Sequence, residues 1–392
     1  MSNLKICLVT IYNPFEKNRG GLDSANYVLS TYFASLGIET WVLTLGAVGK
    51  DTITTANGVN FWILPDCGYK DIWRRSFLFL RRGKSIIEQM ERESGINIFT
   101  GDGGFAAPLL FAHTRQAYRV LTIHDLDSQE IADIKDCLRL KYYGSVIDDA
   151  VKFPFRKLWR LIYLSKADAL IFTTEVPLND WKRFYPHSGQ KRIYTSGRGN
   201  PPSEDNQGNG NKKECDFVYF ARIGKHKGVD LIIKAICLLK NNRVCPSLII
   251  LGDGPWREKM EHLSNKLGLS MSVTFLGYVD EKEKKAQISK SKFSVSPSFY
   301  EGFGLTIEES FALGVPVVVS DIPIFKTRVN ASNGYIFKTG DYHNLAEVMQ
   351  KALDMNSEEY QKMSRNANSS VIDKSWPDTA KRYIEIYEDI IK

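Results

Sequence analysis

The sequence predicts an α/β architecture of two doubly wound domains. Three observations support this. Short β-branched runs alternate with amphipathic helical patterns from the first residues onward. A polar stretch rich in turn formers, residues 197–213, interrupts that alternation. The alternation then starts again and continues to the C-terminal end. A chain of 392 residues is also of a size that favours two domains over one.

In the first half, strands are expected at Lys5–Ile11, Thr40–Leu45, Val59–Leu64, Ile96–Thr100, Arg119–His124 and Ala169–Thr173. Helical segments lie between them, such as Asp23–Ala34 with Tyr27, Val28, Tyr32 and Phe33 as its apolar positions. In the second half, strands are expected at Phe217–Ala221, Ser247–Gly252, Val273–Gly277, Phe293–Pro297, Val315–Val319 and Tyr335–Lys338. Helices are expected at Val229–Lys240, Trp256–Leu267, Glu281–Lys290, from Leu305, at His343–Met355 and at Ser357–Val371. The last, Pro377–Ile391, has proline in its first turn. The domains therefore read as Rossmann-like, 1–196 and 214–375, joined by the linker 197–213 and followed by the helix 376–392. Ligands of such sheets bind beyond the carboxyl ends of the strands. With two domains, the expected site is the cleft they face across.

Composition narrows the function classes. Apolar residues make up 43% of the chain, enough for sizeable cores. No apolar run approaches the roughly 20 residues of a membrane span, and the N-terminal residues lead into a strand without a cleavable signal pattern. The six cysteines are scattered without a Cys-x-x-Cys pair, as expected of buried reduced thiols in a cytoplasmic protein. A net charge of +7 suits an anionic small substrate or an anionic membrane surface, and does not require nucleic acid.

The richest stretch is Ser298-Phe-Tyr-Glu301-Gly302-Phe303-Gly304-Leu305-Thr306-Ile-Glu-Glu309, followed by Ala312-Leu-Gly-Val-Pro-Val-Val. It reads as strand, tight glycine loop, helix, strand. The glycines permit close backbone approach, and a helix N-terminus attracts anions. Glu301 lies just before that end and Glu309 about a turn inside it. As the plain alternative, Glu309 is a surface acid favoured by the helix dipole, and Glu301 is a turn residue.

Four further loops follow expected strands. Asn13–Ser24 contains Gly20-Gly21 before a helix, where backbone N–H groups can wrap a phosphate; otherwise it is an ordinary loop. It matches neither a dinucleotide fingerprint nor a P-loop. Thr122-Ile-His124-Asp125-Leu-Asp127 places a histidine at a strand end, as a proton carrier or hydrogen-bond donor, or as a structural histidine. Arg222-Ile-Gly-Lys-His226-Lys227-Gly228 gathers basic side chains suited to a diphosphate, or forms a solvated basic turn. Leu251-Gly252-Asp253-Gly-Pro255 is a glycine-flanked acid, or a simple turn.

Two basic, aromatic stretches, 73–84 and 153–163, fit either of two descriptions. One is peripheral contact with an anionic membrane. The other is a helix packed on the first sheet, its Lys and Arg reaching solvent. Apolar and basic residues are densest in 73–84.

In their order and spacing, these loops resemble the retaining glycosyltransferases of family 4, which have the two-domain GT-B fold. Glu301-Gly-Phe-Gly-Leu…Glu309 with Ala312-Leu-Gly-Val-Pro-Val-Val, Arg222…Lys227-Gly-Val-Asp and Leu251-Gly-Asp-Gly-Pro match closely; Gly20-Gly21 and His124-Asp125 match more loosely. The resemblance implies a nucleotide-diphosphate-sugar donor held mostly by the second domain, with no metal and no other cofactor. It implies that Glu309 bonds the ribose hydroxyls, Glu301 faces the transferred sugar, and Arg222 and Lys227 neutralise the diphosphate. Gly252 and Asp253 line the donor site, and the amides near Phe303, Gly304, Leu305 and Thr306 contact sugar and phosphate. Gly20 and Gly21 close on the diphosphate, and His124 meets the transferred sugar. The acceptor would be a glycan or lipid-linked sugar, and the last helix would cross back to the first domain. Tyr194-Thr-Ser-Gly-Arg-Gly-Asn-Pro departs from the family's usual Asn-Gly-Val-Asp-like ending, and Thr306 stands where proline is frequent. An epimerase or phosphorylase on the same fold, or a non-catalytic sugar-nucleotide-binding module, are the competing expectations.

Overall fold

The structure, a computed structural model, describes residues 3–11, 13, 15, 21–46, 49–66, 72–124, 143–185, 191–197, 213–242, 244–371 and 375–392. The chain divides into two compact units. Unit 1 holds Met1–Asp127, Val151–Gly199 and Lys374–Lys392; unit 2 holds Ser128–Ala150 and Asn200–Asp373. The expected first domain, 1–196, had included 128–150. The helix Tyr143–Lys166 runs across that boundary, so no break between elements marks it. Most of the expected linker, 198–212, lies outside the described residues.

Unit 1 is built on β1 (Lys5–Val9), β2 (Glu39–Gly46), β3 (Thr52–Ala56), β4 (Val59–Pro65), β5 (Ile98–Asp102), β6 (Tyr118–Ile123), β7 (Ala169–Phe172) and β8 (Arg192–Thr195). They form one sheet in the order β3-β4-β2-β1-β5-β6-β7-β8, and all pairs but β3–β4 are parallel. Its helices are α1 (Gly21–Ser35), α2 (Ile72–Ser94), α3 (Ala107–Phe111), α4 (Tyr143–Lys166) and α5 (Glu175–Phe184). Right-handed crossovers separate them by direction of travel along the sheet. Phe79, Leu109, Leu164 and Leu178, from α2 to α5, share one core, whereas Leu29 and Phe33 of α1 belong to the core on the opposite face.

β3 and β8 are not among the strands the sequence predicts. Both are edge strands with mostly exposed or half-exposed residues, so neither shows an apolar face. The β3–β4 hairpin turns on Asn57-Gly58, whose φ angles of 48° and 76° fit a primed two-residue turn.

Unit 2 contains β9 (Cys215–Phe220), β10 (Leu248–Leu251), β11 (Val273–Gly277), β12 (Ser291–Ser296), β13 (Val317–Ser320) and β14 (Gly334–Phe337). They form a wholly parallel sheet in the order β11-β10-β9-β12-β13-β14. Its helices are α6 (Val229–Asn241), α7 (Arg257–Lys266), α8 (Glu281–Lys290), α9 (Leu305–Ala312), α10 (Pro323–Lys326), α11 (Tyr342–Leu353) and α12 (Ser357–Ser369). The winding reverses between β9 and β12. The loops leaving those two strands therefore flank the crevice where open α/β sheets bind ligands.

The last helix, α13 (Trp376–Ile391), belongs to unit 1. Tyr383, Ile386, Tyr387 and Ile390 are buried with Leu29 and Phe33 of α1, and the rings of Phe33 and Tyr387 meet edge-on at 6.1 Å. Among the described cysteines, Cys7 and Cys215 are buried, but Cys245 is exposed, contrary to the expectation of buried thiols. Among the described residues, no helix is long and apolar enough to cross a membrane.

Candidate functional site

In unit 2 the loops leaving β9 and β12 are joined to each other. The Phe299 N–H donates to the His226 carbonyl at 2.8 Å. Gly228 takes φ +65°, and a Cβ there would lie 2.4 Å from the Pro297 carbonyl oxygen, so only glycine allows this approach. Across the joint, Lys227 Nζ donates to Glu301 Oε1 at 2.6 Å. Ser298 Oγ donates to the same oxygen at 2.8 Å, and Ser320 Oγ donates to the Ser298 carbonyl. Glu301 Oε1 is thus held from both loops, by Lys227 and by Ser298, and Ser320 holds Ser298 in turn.

α9 begins immediately after this loop. Gly304 is its N-cap at φ +79°, with a missing Cβ that would sit 3.0 Å from the Phe325 ring. The helix N-terminus supplies free N–H donors and a positive dipole end beside Glu301. The Phe303 side chain is not part of that opening. It is buried beneath the Arg328 guanidinium, 4.1 Å from the ring centroid. Arg328 in turn pairs with the buried Glu308 at 2.7 Å. The Thr306 hydroxyl turns toward the sheet, buried and without a hydrogen-bond partner among the described residues. It lines a cavity of about 10 Å³ with Tyr219, Ser294 and Ser296.

The remaining expected residues of unit 2 differ in what holds them. Arg222 is exposed, and among the described residues its guanidinium has no ion-pair partner. Glu309 Oε1 accepts from Lys284 Nζ of α8 at 3.1 Å. Burial works against the Lys284 ammonium, but the carboxylates of Glu309 and Glu281 outweigh it and hold its pKa above the ordinary lysine value. Asp253 bonds within its own turn, to the Gly254 N–H at 2.7 Å and to Arg257 at 3.6 Å. The Gly252 N–H is taken by the Gly277 carbonyl at 2.7 Å. Their hydrogen bonds support a structural turn, although the Ile223 N–H donates to the Asp253 carbonyl and ties this loop to the one after β9.

His226, Ser298 and Lys284 complete this geometry and were not among the expected site residues. His226 sat in the basic cluster, so a signal was available. Burial, reinforced by Lys227 and Arg222 and opposed by Glu301, pushes its pKa down to about 4, so the ring is neutral at neutral pH. Lys284 reaches Glu309 from another helix, and no local pattern announces that.

In unit 1, His124 follows β6, and its Nε2 lies 2.9 Å from Asp102 Oδ1 at the end of β5. Asn26 of α1 donates to the other Asp102 oxygen. A carboxylate partner assigns the proton of neutral His124 to Nε2. Nδ1 is buried with no hydrogen-bond partner among the described residues. It sits beside a cavity of about 10 Å³ that Thr122, Thr173 and Thr379 also line. Gly21 opens α1, whereas Gly20, Asp125 and Asp127 lie outside the described residues.

Residues 202–370 match the family described as glycosyl transferases group 1. This stretch is similar to the group 1 glycosyltransferases. The matched stretch contains every unit 2 residue named above, from Arg222 to Arg328. An uncharacterized glycosyltransferase of Methanocaldococcus jannaschii is 32% identical over 180 residues, which is 44% of this chain and 44% of that protein. That match spans less than half of the relative's length. Likeness over the whole chain comes from solved structures. Sucrose-phosphate synthase from Thermosynechococcus elongatus superposes with a TM-score of 0.79, at 18% identity, over 99% of each chain. Anabaena HepE in complex with UDP and glucose gives 0.70 at 13% identity, over 98% of this chain and 100% of that one. At such identities the likeness is one of fold, and the fold is GT-B.

Proposed function

We propose that the protein is a retaining, metal-independent glycosyltransferase of family 4. It moves a hexosyl group from a nucleotide-diphosphate sugar to a glycan or lipid-linked acceptor. The observation that carries this reading is the Lys227–Glu301 pair, held across the two loops that flank the switch point and next to the α9 N-terminus. Breaking a sugar–phosphate bond develops positive charge at the anomeric carbon and negative charge on the departing diphosphate. Preorganised groups of opposite sign lower that barrier.

An ammonium has three donors, and Lys227 gives one to Glu301, so two remain for phosphate oxygens. Arg222 supplies a second cation with a fork suited to phosphate. The amides of Phe303, Gly304, Leu305 and Thr306 complete the anion site. Glu301 Oε2 faces the transferred sugar and supports its developing positive charge. Glu309, steadied by Lys284, takes the ribose hydroxyls. Gly252 and Asp253 shape the loop beside the donor. For His124 we propose a hydrogen bond to the transferred sugar, and for Gly20 and Gly21 backbone contacts to the diphosphate. Retention of configuration rests on the likeness of the Glu301–Glu309 stretch to the family pattern. The UDP bound in Anabaena HepE makes a uridine diphosphate sugar the first donor to test.

The test begins with a thermal-shift screen of nucleoside diphosphates and their sugars, since ligand binding raises apparent stability. Donor turnover is then measured for Glu301→Gln and Lys227→Ala. Each variant is expected to lose about a hundredfold or more. Full turnover by both would remove the assignment. Tight donor binding with no turnover on any acceptor would leave a non-catalytic binding module.

A further inference from the structure

The two basic, aromatic stretches of unit 1 present different surfaces in the folded protein. In α2, Phe79 is fully buried and Leu78 and Leu80 are half-buried, so Phe77 is the large apolar residue left exposed between 75 and 84. In α4, Phe155, Leu158 and Leu161 are 72%, 57% and 44% exposed. Their i, i+3, i+6 spacing sets them along one stripe of the helix. The inner face of α4 is anchored separately. Tyr163 and Leu164 are buried, and Trp159 stacks on Phe111 of α3 at 6.0 Å. The exposed stripe is therefore not needed to hold the helix in place.

Charge indicates what covers it. From Val151 to the end of α4 the sequence carries Lys152, Arg156, Lys157, Arg160 and Lys166 and no acidic residue. Lys157 and Lys166 are exposed beside the apolar stripe. An anionic bilayer surface matches both features at once, through a negative potential over the headgroups and an apolar layer below. We infer that the exposed face of α4 docks on an anionic phospholipid surface. Phe155, Leu158 and Leu161 enter the boundary between headgroups and acyl chains, and Lys157 and Lys166 lie among the headgroups. Phe77 and Arg81, one turn apart on the exposed side of α2, add a smaller contribution. This docking is independent of the proposed transfer reaction, because none of these side chains belongs to its machinery.

The test is flotation of the full chain with phosphatidylcholine vesicles, with and without phosphatidylglycerol, at low and high salt. Binding is expected to phosphatidylglycerol vesicles at low salt and to fall as salt screens the surface. The variant Phe155→Ser, Leu158→Ser, Leu161→Ser should bind about tenfold more weakly or worse, with donor turnover unchanged. Phe77→Ser should bind nearly as wild type does. No flotation at low salt, or equal flotation of the triple variant, would overturn the inference. So would a concentration-dependent dimer that the triple variant abolishes while neither protein floats; the stripe would then serve a second copy of the chain.

Discussion

His226 ties the chemistry of one side chain to the stability of unit 2. Its pKa of about 4 lies below the ordinary value of 6.5, chiefly because the ring is buried and then because Lys227 and Arg222 are near. Above pH 6.5 the ring is neutral in both folded and unfolded chains, and no penalty arises. Between 6.5 and 4 the unfolded chain takes up a proton that the folded one refuses, so stability falls as the pH drops, by up to about 3 kcal/mol. Urea unfolding at neutral and mildly acidic pH should show this loss, and His226→Gln should flatten it. An unchanged slope in the variant would assign the effect to other groups. At His124, Asn at position 102 keeps the shape but no longer selects the Nε2–H tautomer. Asp102→Asn is therefore expected to lower transfer by about tenfold or more with nucleotide affinity and melting temperature near wild type. A fall in melting temperature alone would make the Asp102–His124 bond purely structural.

At the scale of elements, α9 depends on a single backbone conformation. Gly304 caps it in the left-handed region, against the Phe325 ring. Gly304→Ala should cost about 1–2 kcal/mol from the backbone alone, plus what the ring displacement adds. It should weaken nucleotide binding with it, because the amides that follow would shift. Equilibrium unfolding and the thermal shift with a nucleoside diphosphate measure the two effects separately. The same helix shows how far a local pattern can be read. The strand–glycine–helix order of 293–312 was evident from residue types, because turn glycines and apolar runs are local signals. The Glu308–Arg328 pair was not, since its members come from separate elements and meet only once the chain is packed.

For the whole molecule, chain order and spatial grouping differ. α13 comes after unit 2 in sequence yet buries Tyr383, Ile386, Tyr387 and Ile390 in the core of unit 1. Burial drives the Tyr387 hydroxyl pKa far above the ordinary tyrosine range, as expected for a ring enclosed in a core. Fully burying each such side chain is worth about 1.5–3 kcal/mol. Removal of residues 376–392 should therefore unfold unit 1 and leave the parallel sheet of unit 2 intact. Calorimetry would register this as loss of one transition with the other retained. A truncated chain that keeps both transitions would show that α1 alone protects that face of the sheet.

The sequence alone determined the α/β class, the strands of the second half and all of its helices but the short α10, and the loops that could carry chemistry. These follow from periodicity, turn residues and position relative to strands, all of which are local. It did not reveal the edge strands β3 and β8, because a strand with little to bury shows no apolar face. It named Lys227 and Glu301 but not their pairing, and named Glu309 without Lys284. It also placed the denser membrane signal in residues 73–84, whereas the folded chain exposes the apolar stripe of α4. Packing decides which face of an amphipathic helix is turned inward, and which distant side chains share one site. Only the tertiary structure holds that information.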